Sequence, residues 1–93
     1  MALLFGLVSG CATTSSPPVQ EMSDARQAIK SAHDANAGEY APQTLQSAED
    51  SIELAIRTLE QGEYEAARMA ASVARLLAIK ARDEALARAA EQQ

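Results

Sequence analysis

Ala67, Ala71, Ala74, Ala78, Ala81 and Ala85 follow one another at intervals of 4, 3, 4, 3 and 4 residues. That spacing places all six on one side of an α-helix, whereas a strand would scatter them over both faces of a sheet. A seam built only from methyl groups lets a second helix approach closely, toward the low end of the ~8–10 Å separations of packed pairs. The seam therefore predicts one long helix, from about Glu63 to Glu91, whose partners are themselves helices. Met69, Val73, Leu76 and Leu77 flank it.

Two partners are legible upstream. Leu45, Ala48, Ile52, Ala55 and Leu59 recur at intervals of 3, 4, 3 and 4, with Ile56 widening the stripe. They predict a helix from about Pro42, which suits a first helical position, to Gln61, with Gly62 as its stop. A further helix is predicted from about Pro18 to Ala37, with Ser15 or Ser16 as cap and Gly38 as stop. Its stripe is Met22, Ala25, Ala28 or Ile29, Ala32, then Ala35 or Asn36. No alternating β-branched run competes with these assignments. The fold class is all-α: an antiparallel three-helix bundle, or a helical hairpin with a short first helix. In an up-down-up arrangement the third helix, ~43 Å long, outruns the second, ~30 Å long. Its end, Glu84 to Glu91, is then expected to stand uncovered, either offering Ala85, Leu86 and Ala89 to a partner or fraying as a chain end does.

Gly38-Glu39-Tyr40 and Gly62-Glu63-Tyr64 are the same triplet, 24 residues apart. Overlaying them puts Leu45 on Met69 and Ile52 on Leu76. Each triplet is expected to end one helix and start the next, its tyrosine plugging the end of the helical layer with the hydroxyl in water. "LEQGEYEAARMAASVARLLA" resembles part of a tetratricopeptide repeat, which would imply a small binding module. That repeat has a period of 34, however, and two triplets make no array.

Little in the sequence speaks of chemistry. His33 is the sole histidine, and its neighbour Asp34 points ~100° away on a helix, so the two form no site. His33 reads as a solvated surface residue. Glu49, Asp50 and Glu53 give an acidic patch, but a calcium loop needs such oxygens on a turn rather than within a helix. No catalytic residue and no metal ligand is assigned, and the protein is read as a non-enzyme with no small-molecule substrate. A net charge of −5 supplies no excess of Lys and Arg to displace phosphate counterions, so nucleic acid is not expected as a partner. Arg68, Arg75 and Arg82, seven residues apart, form a stripe along the third helix. They are expected either to pair with the acids of the second helix or, together with Leu86, to dock an acidic partner or an anionic cell-wall polymer. With 93 residues, an alanine-rich core and aromatics at 3%, the domain is expected to be marginally stable alone and to gain from a protein partner or from self-association.

The remaining feature is the only cysteine. Ala2 to Val8 is apolar, Ser9 and Gly10 are small, and Cys11 follows. An apolar run ending in small residues is how a secretory signal closes, and this run is too short to cross a bilayer. "LVSGC", Leu7 to Cys11, resembles the lipobox of bacterial lipoproteins, which implies diacylglycerol and a fatty acyl chain on Cys11 as the only covalent additions. "ATTSSPP", from Ala12 to Pro18, has the composition of a flexible tether. The division is a signal peptide over 1–10, lipidated cysteine and tether over 11–18, and an alanine-rich helical domain over 19–93. No Lys or Arg precedes Cys11, as one would in a signal peptide, so either the true start lies upstream or the chain is truncated.

From Cys11 to about Glu91 the chain is similar to a family of small proteobacterial lipoproteins carrying a helical domain of unknown function. The likeness rests on the lipobox, on "PPVQEMSDARQAIKSAHDANAGEYAP" and on the recurrent alanines of "AARMAASVARLLAIKARDEA". Ala12 stands where Asp would retain such a lipoprotein in the inner membrane, so the resemblance implies the periplasmic face of the outer membrane. In that family the domain also occurs ahead of an outer-membrane-protein-A-like domain. Nothing within these 93 residues matches the latter, and cell-wall binding is carried over to no residue. The competing expectation is a free helical protein, never lipidated, that self-associates as a coiled coil.

Overall fold

The computed structural model describes residues 16–92, and Ser15 and Cys11 with its lipobox lie outside them. Four helices follow in order: α1 (Val19–Asp34), α2 (Ala37–Tyr40), α3 (Pro42–Glu60) and α4 (Tyr64–Glu91). Three are long, as the periodicity predicts, and α2 is a single turn between the first two. The class is all-α. Glu21 meets Arg68 and Thr44 meets Glu84, so α1 runs parallel to α4 and α3 antiparallel to it. Both α1 and α3 pack mainly on α4 and touch each other along a thinner seam.

The alanine seam is the axis of the molecule. All six of its residues have no exposed surface. Near the α3–α4 turn they join Met22 and Ala25 of α1 and Ala55 of α3, with Ile52, Ile56 and Leu59 closing over them. At the other end Ala81 and Ala85 meet Ala32, Ala37, Ala41 and Leu45, with Ala35 and Tyr40 at the margin. Small side chains at one interface permit two helices to lie against one, which is why the longest helix is also the central one.

The first helix boundary differs from expectation. α1 has no side-chain cap; Pro18, itself buried, precedes it and accepts from the Met22 amide at 3.0 Å. The Ser16 carbonyl instead accepts from Arg68 Nη2 at 2.9 Å. Nor does Gly38 end α1. Asn36 does, with φ at 63° in the left-handed region, which asparagine enters more readily than most residues because its short amide bonds locally. Gly38 lies inside α2. Gly62, by contrast, is the predicted stop: its φ is +78°, its amide donates to the Leu59 carbonyl, and the Glu63 amide donates to that of Thr58 at 2.8 Å. Those two bonds make a Schellman motif. The two Gly-Glu-Tyr triplets thus have different jobs.

A pair of substitutions separates those jobs. Nothing lies within 4 Å of a Cβ added at Gly38, so Gly38→Ala is expected to stabilise by ~0.5–1 kcal/mol through lost chain entropy in the unfolded state. Gly62→Ala is expected to destabilise by ~1 kcal/mol, because the left-handed backbone there disfavours a Cβ. Thermal melts of the two variants should move in opposite directions.

The far end of α4 is covered on one side, where an unpartnered tail is expected from the sequence, while Leu86 on its other side stays exposed as expected. Ala85 is fully buried. Arg88 Nη1 donates to the Tyr40 carbonyl at 2.6 Å, Thr44 Oγ1 to Glu84 Oε1 at 2.7 Å, and Tyr40 Oη to Gln92 Oε1 at 3.4 Å. The extra turn, α2, lengthens the α1–α3 connection and carries it over the end of α4.

Candidate functional site

Three surfaces could serve a function. The first is the arginine stripe. Arg68 turns to α1 rather than to the acids of α3: its Nη1 donates to Glu21 Oε2 at 3.0 Å, and its Nε lies 3.7 Å from Glu65 Oε2. Arg82 bonds the neighbouring Asp83 through Nε and Nη2, at 3.0 and 2.9 Å. Arg75 is exposed. Arg75 and Arg82 line a cleft of about 350 Å³ between α1 and α4, together with Asp24, Gln27, Ser31 and Ile79. The expected pairing with Glu49, Asp50, Glu53 and Glu60 does not form, because the stripe lies on the α1 side of the seam and α3 on the other. Leu86 is exposed, on the same helix.

The second surface lies between α1 and α3. His33 is exposed, as read from the sequence, but its Nε2 stands 2.8 Å from Glu49 Oε2 across the interface. Asp34 bonds Lys30 instead, at 3.1 Å. The His33–Glu49 contact depends on the antiparallel register of α1 and α3, which neither stripe reveals by itself. Among the described residues no group of three or more His, Cys, Asp or Glu side chains gathers to hold a metal ion. Thr58, the buried polar residue of α3, donates to the Leu54 carbonyl at 2.8 Å, one turn back on its own helix.

The third surface is not among those expected from the sequence. Met69, Val73 and Leu76 flank the alanine seam in the sequence, yet they point to water: they are 67%, 47% and 61% exposed, and Leu54 of α3 is 45% exposed. Leu54, Met69 and Val73 line a shallow groove floored by Ala66 and Ala70. The signal was present. Ala66, Met69, Val73 and Leu76 repeat at intervals of 3, 4 and 3, a second apolar stripe on the helix that already carries the seam. A helix apolar on two sides has either two sets of neighbours or an open face.

No helix among the described residues is long and apolar enough to cross a membrane. A family model described as "Domain of unknown function (DUF4398)" matches residues 20–93. No curated protein and no solved structure matches the chain.

Proposed function

The chain belongs to the DUF4398 family, and we propose that it is a lipid-anchored, non-catalytic interaction module of a proteobacterial envelope, held at the periplasmic face of the outer membrane. The observation that carries this reading is the order of features along the chain: Leu7-Val8-Ser9-Gly10-Cys11, a short Ser/Thr/Pro segment, then the helical domain. A cysteine thiolate is the nucleophile needed to take a thioether-linked lipid, and small residues ahead of it give a transferase and a peptidase access. Three acyl chains hold a protein at a membrane firmly, where one holds it marginally. Ala12 in place of Asp favours passage to the outer membrane. The helical domain then offers surfaces instead of a reaction centre, and its exposed Leu54, Met69, Val73 and Leu76 suit protein contact.

Metabolic labelling with a clickable palmitate analogue tests the anchor. Expressed from the full reading frame in a Gram-negative host, the wild type is expected to label and to fractionate with outer membranes. Cys11→Ser should do neither. Labelling of both, or of neither, sinks the reading and leaves the helical domain as a free protein.

A further inference from the structure

We infer that the open α3–α4 face binds a second copy of this chain, with the two α4 helices antiparallel about a two-fold axis near Val73. Four of the six large hydrophobic side chains that stand exposed among the described residues lie on this face. Inward, the fully buried residues of α4 are all alanines; outward, it presents Met69, Val73 and Leu76, with Leu54 beside them. Scattered exposed aliphatics are ordinary, but here three of the four lie on successive turns of one helix and the fourth shares their groove. A domain with so little apolar area inside gains by covering that face.

Charge selects the occupant. Glu65 and Lys80 flank the apolar stripe, eight residues before Val73 and seven after it. An axis between Ser72 and Val73 brings Glu65 of each copy opposite Lys80 of the other, and Met69 opposite Leu76. A parallel pairing would set like charge on like. Within one chain these groups are only loosely engaged: Glu65 is 84% exposed and Lys80 64% exposed, and each lies 3.7 Å from its partner on α4. A self-complementary patch is what a two-fold homodimer requires. An anionic membrane surface is a poorer occupant for a chain of net charge −5. The inference concerns the helical domain and does not depend on Cys11 being lipidated.

The test uses the full chain carrying Cys11→Ser, which separates it from any lipid effect. Sedimentation from 5 to about 500 µM should show a reversible dimer in the micromolar range, as suits an interface at the small end of the scale. Either charge reversal, Glu65→Lys or Lys80→Glu, should weaken association about tenfold, and the double reversal should restore it. In the same background Val73→Cys, beside the axis, should crosslink to itself under mild oxidation, and Ser23→Cys on exposed α1 should not. A monomer at all concentrations overturns the dimer. Equal crosslinking at both positions, or single reversals that the double does not rescue, overturns the antiparallel geometry. Circular dichroism of each variant confirms that a lost dimer is not a lost fold, and Met69→Gln, at a position 67% exposed, supplies an uncharged variant expected to dissociate while still folded.

Discussion

Ala74→Leu is expected to destabilise the domain by ~1–3 kcal/mol, roughly 5–20 °C in melting temperature for a domain of this size. Ala74 has no exposed surface and sits where Met22 and Ala25 of α1, Ala55 of α3 and Ala70 and Ala71 of its own helix converge. Three added carbons have no cavity to enter. They must push α1 or α3 away from α4, and every neighbouring alanine contact weakens as the helices part, because dispersion falls off within an ångström of separation. Gln46→Leu provides the contrast. Gln46 is exposed on α3, where its amide bonds Asp50 at 2.9 Å, and a surface exchange away from the core is ordinarily worth under ~0.5 kcal/mol. Equal shifts for the two variants would show that the seam is not the core.

The seam was legible because its period survives any arrangement of the neighbours: whichever helices pack on α4, a stripe of six alanines at helical spacing faces them. Side was not legible. Arg68, Arg75 and Arg82 adjoin the seam, but whether α1 or α3 lies on that flank depends on the handedness of the three-helix arrangement, and a stripe carries no handedness. The same gap hid the second apolar stripe. Met69, Val73 and Leu76 are larger than the alanines and would ordinarily be placed inside; here close helix approach favours the smaller set, and the larger set is left facing water. At the α1–α3 connection, two residues competed for the left-handed position. Gly38 is the usual choice, but Asn36 takes it, and the turn gained before Ala41 is what lets Tyr40 and Arg88 meet over the end of α4. His33–Glu49 required a register that appears only when α1 and α3 are side by side. Cys11 remains legible as a motif alone, since it lies outside the described residues.

Met22→Ala and Leu45→Ala should each cost ~2–4 kcal/mol, enough to unfold much of a small alanine-built domain at 37 °C. Apart from Pro18, these are the two buried hydrophobic side chains larger than alanine among the described residues, at 3% and 5% exposure. They divide the labour. Met22 belongs to the cluster near the α3–α4 turn and fastens the start of α1 to α4. Leu45 belongs to the opposite cluster, where it holds α2 and the last turns of α4. Truncating either leaves a void whose buried walls are mostly alanine, with Ile52, Ile56 and Leu59 at the edge of the first and Tyr40 at the edge of the second. The lost transfer energy and a cavity term therefore add, the second set by how far those edge side chains close in. Met22→Leu conserves volume and should cost less than ~1.5 kcal/mol. Urea midpoints rank the variants, and amide exchange locates the damage: Met22→Ala should expose the first turns of α1 earliest, Leu45→Ala the amides of Ala37 to Ala41. If Leu54→Ala, at a position 45% exposed, proved costlier than Met22→Ala in the monomer, the core would lie on the α3–α4 face and not along the seam.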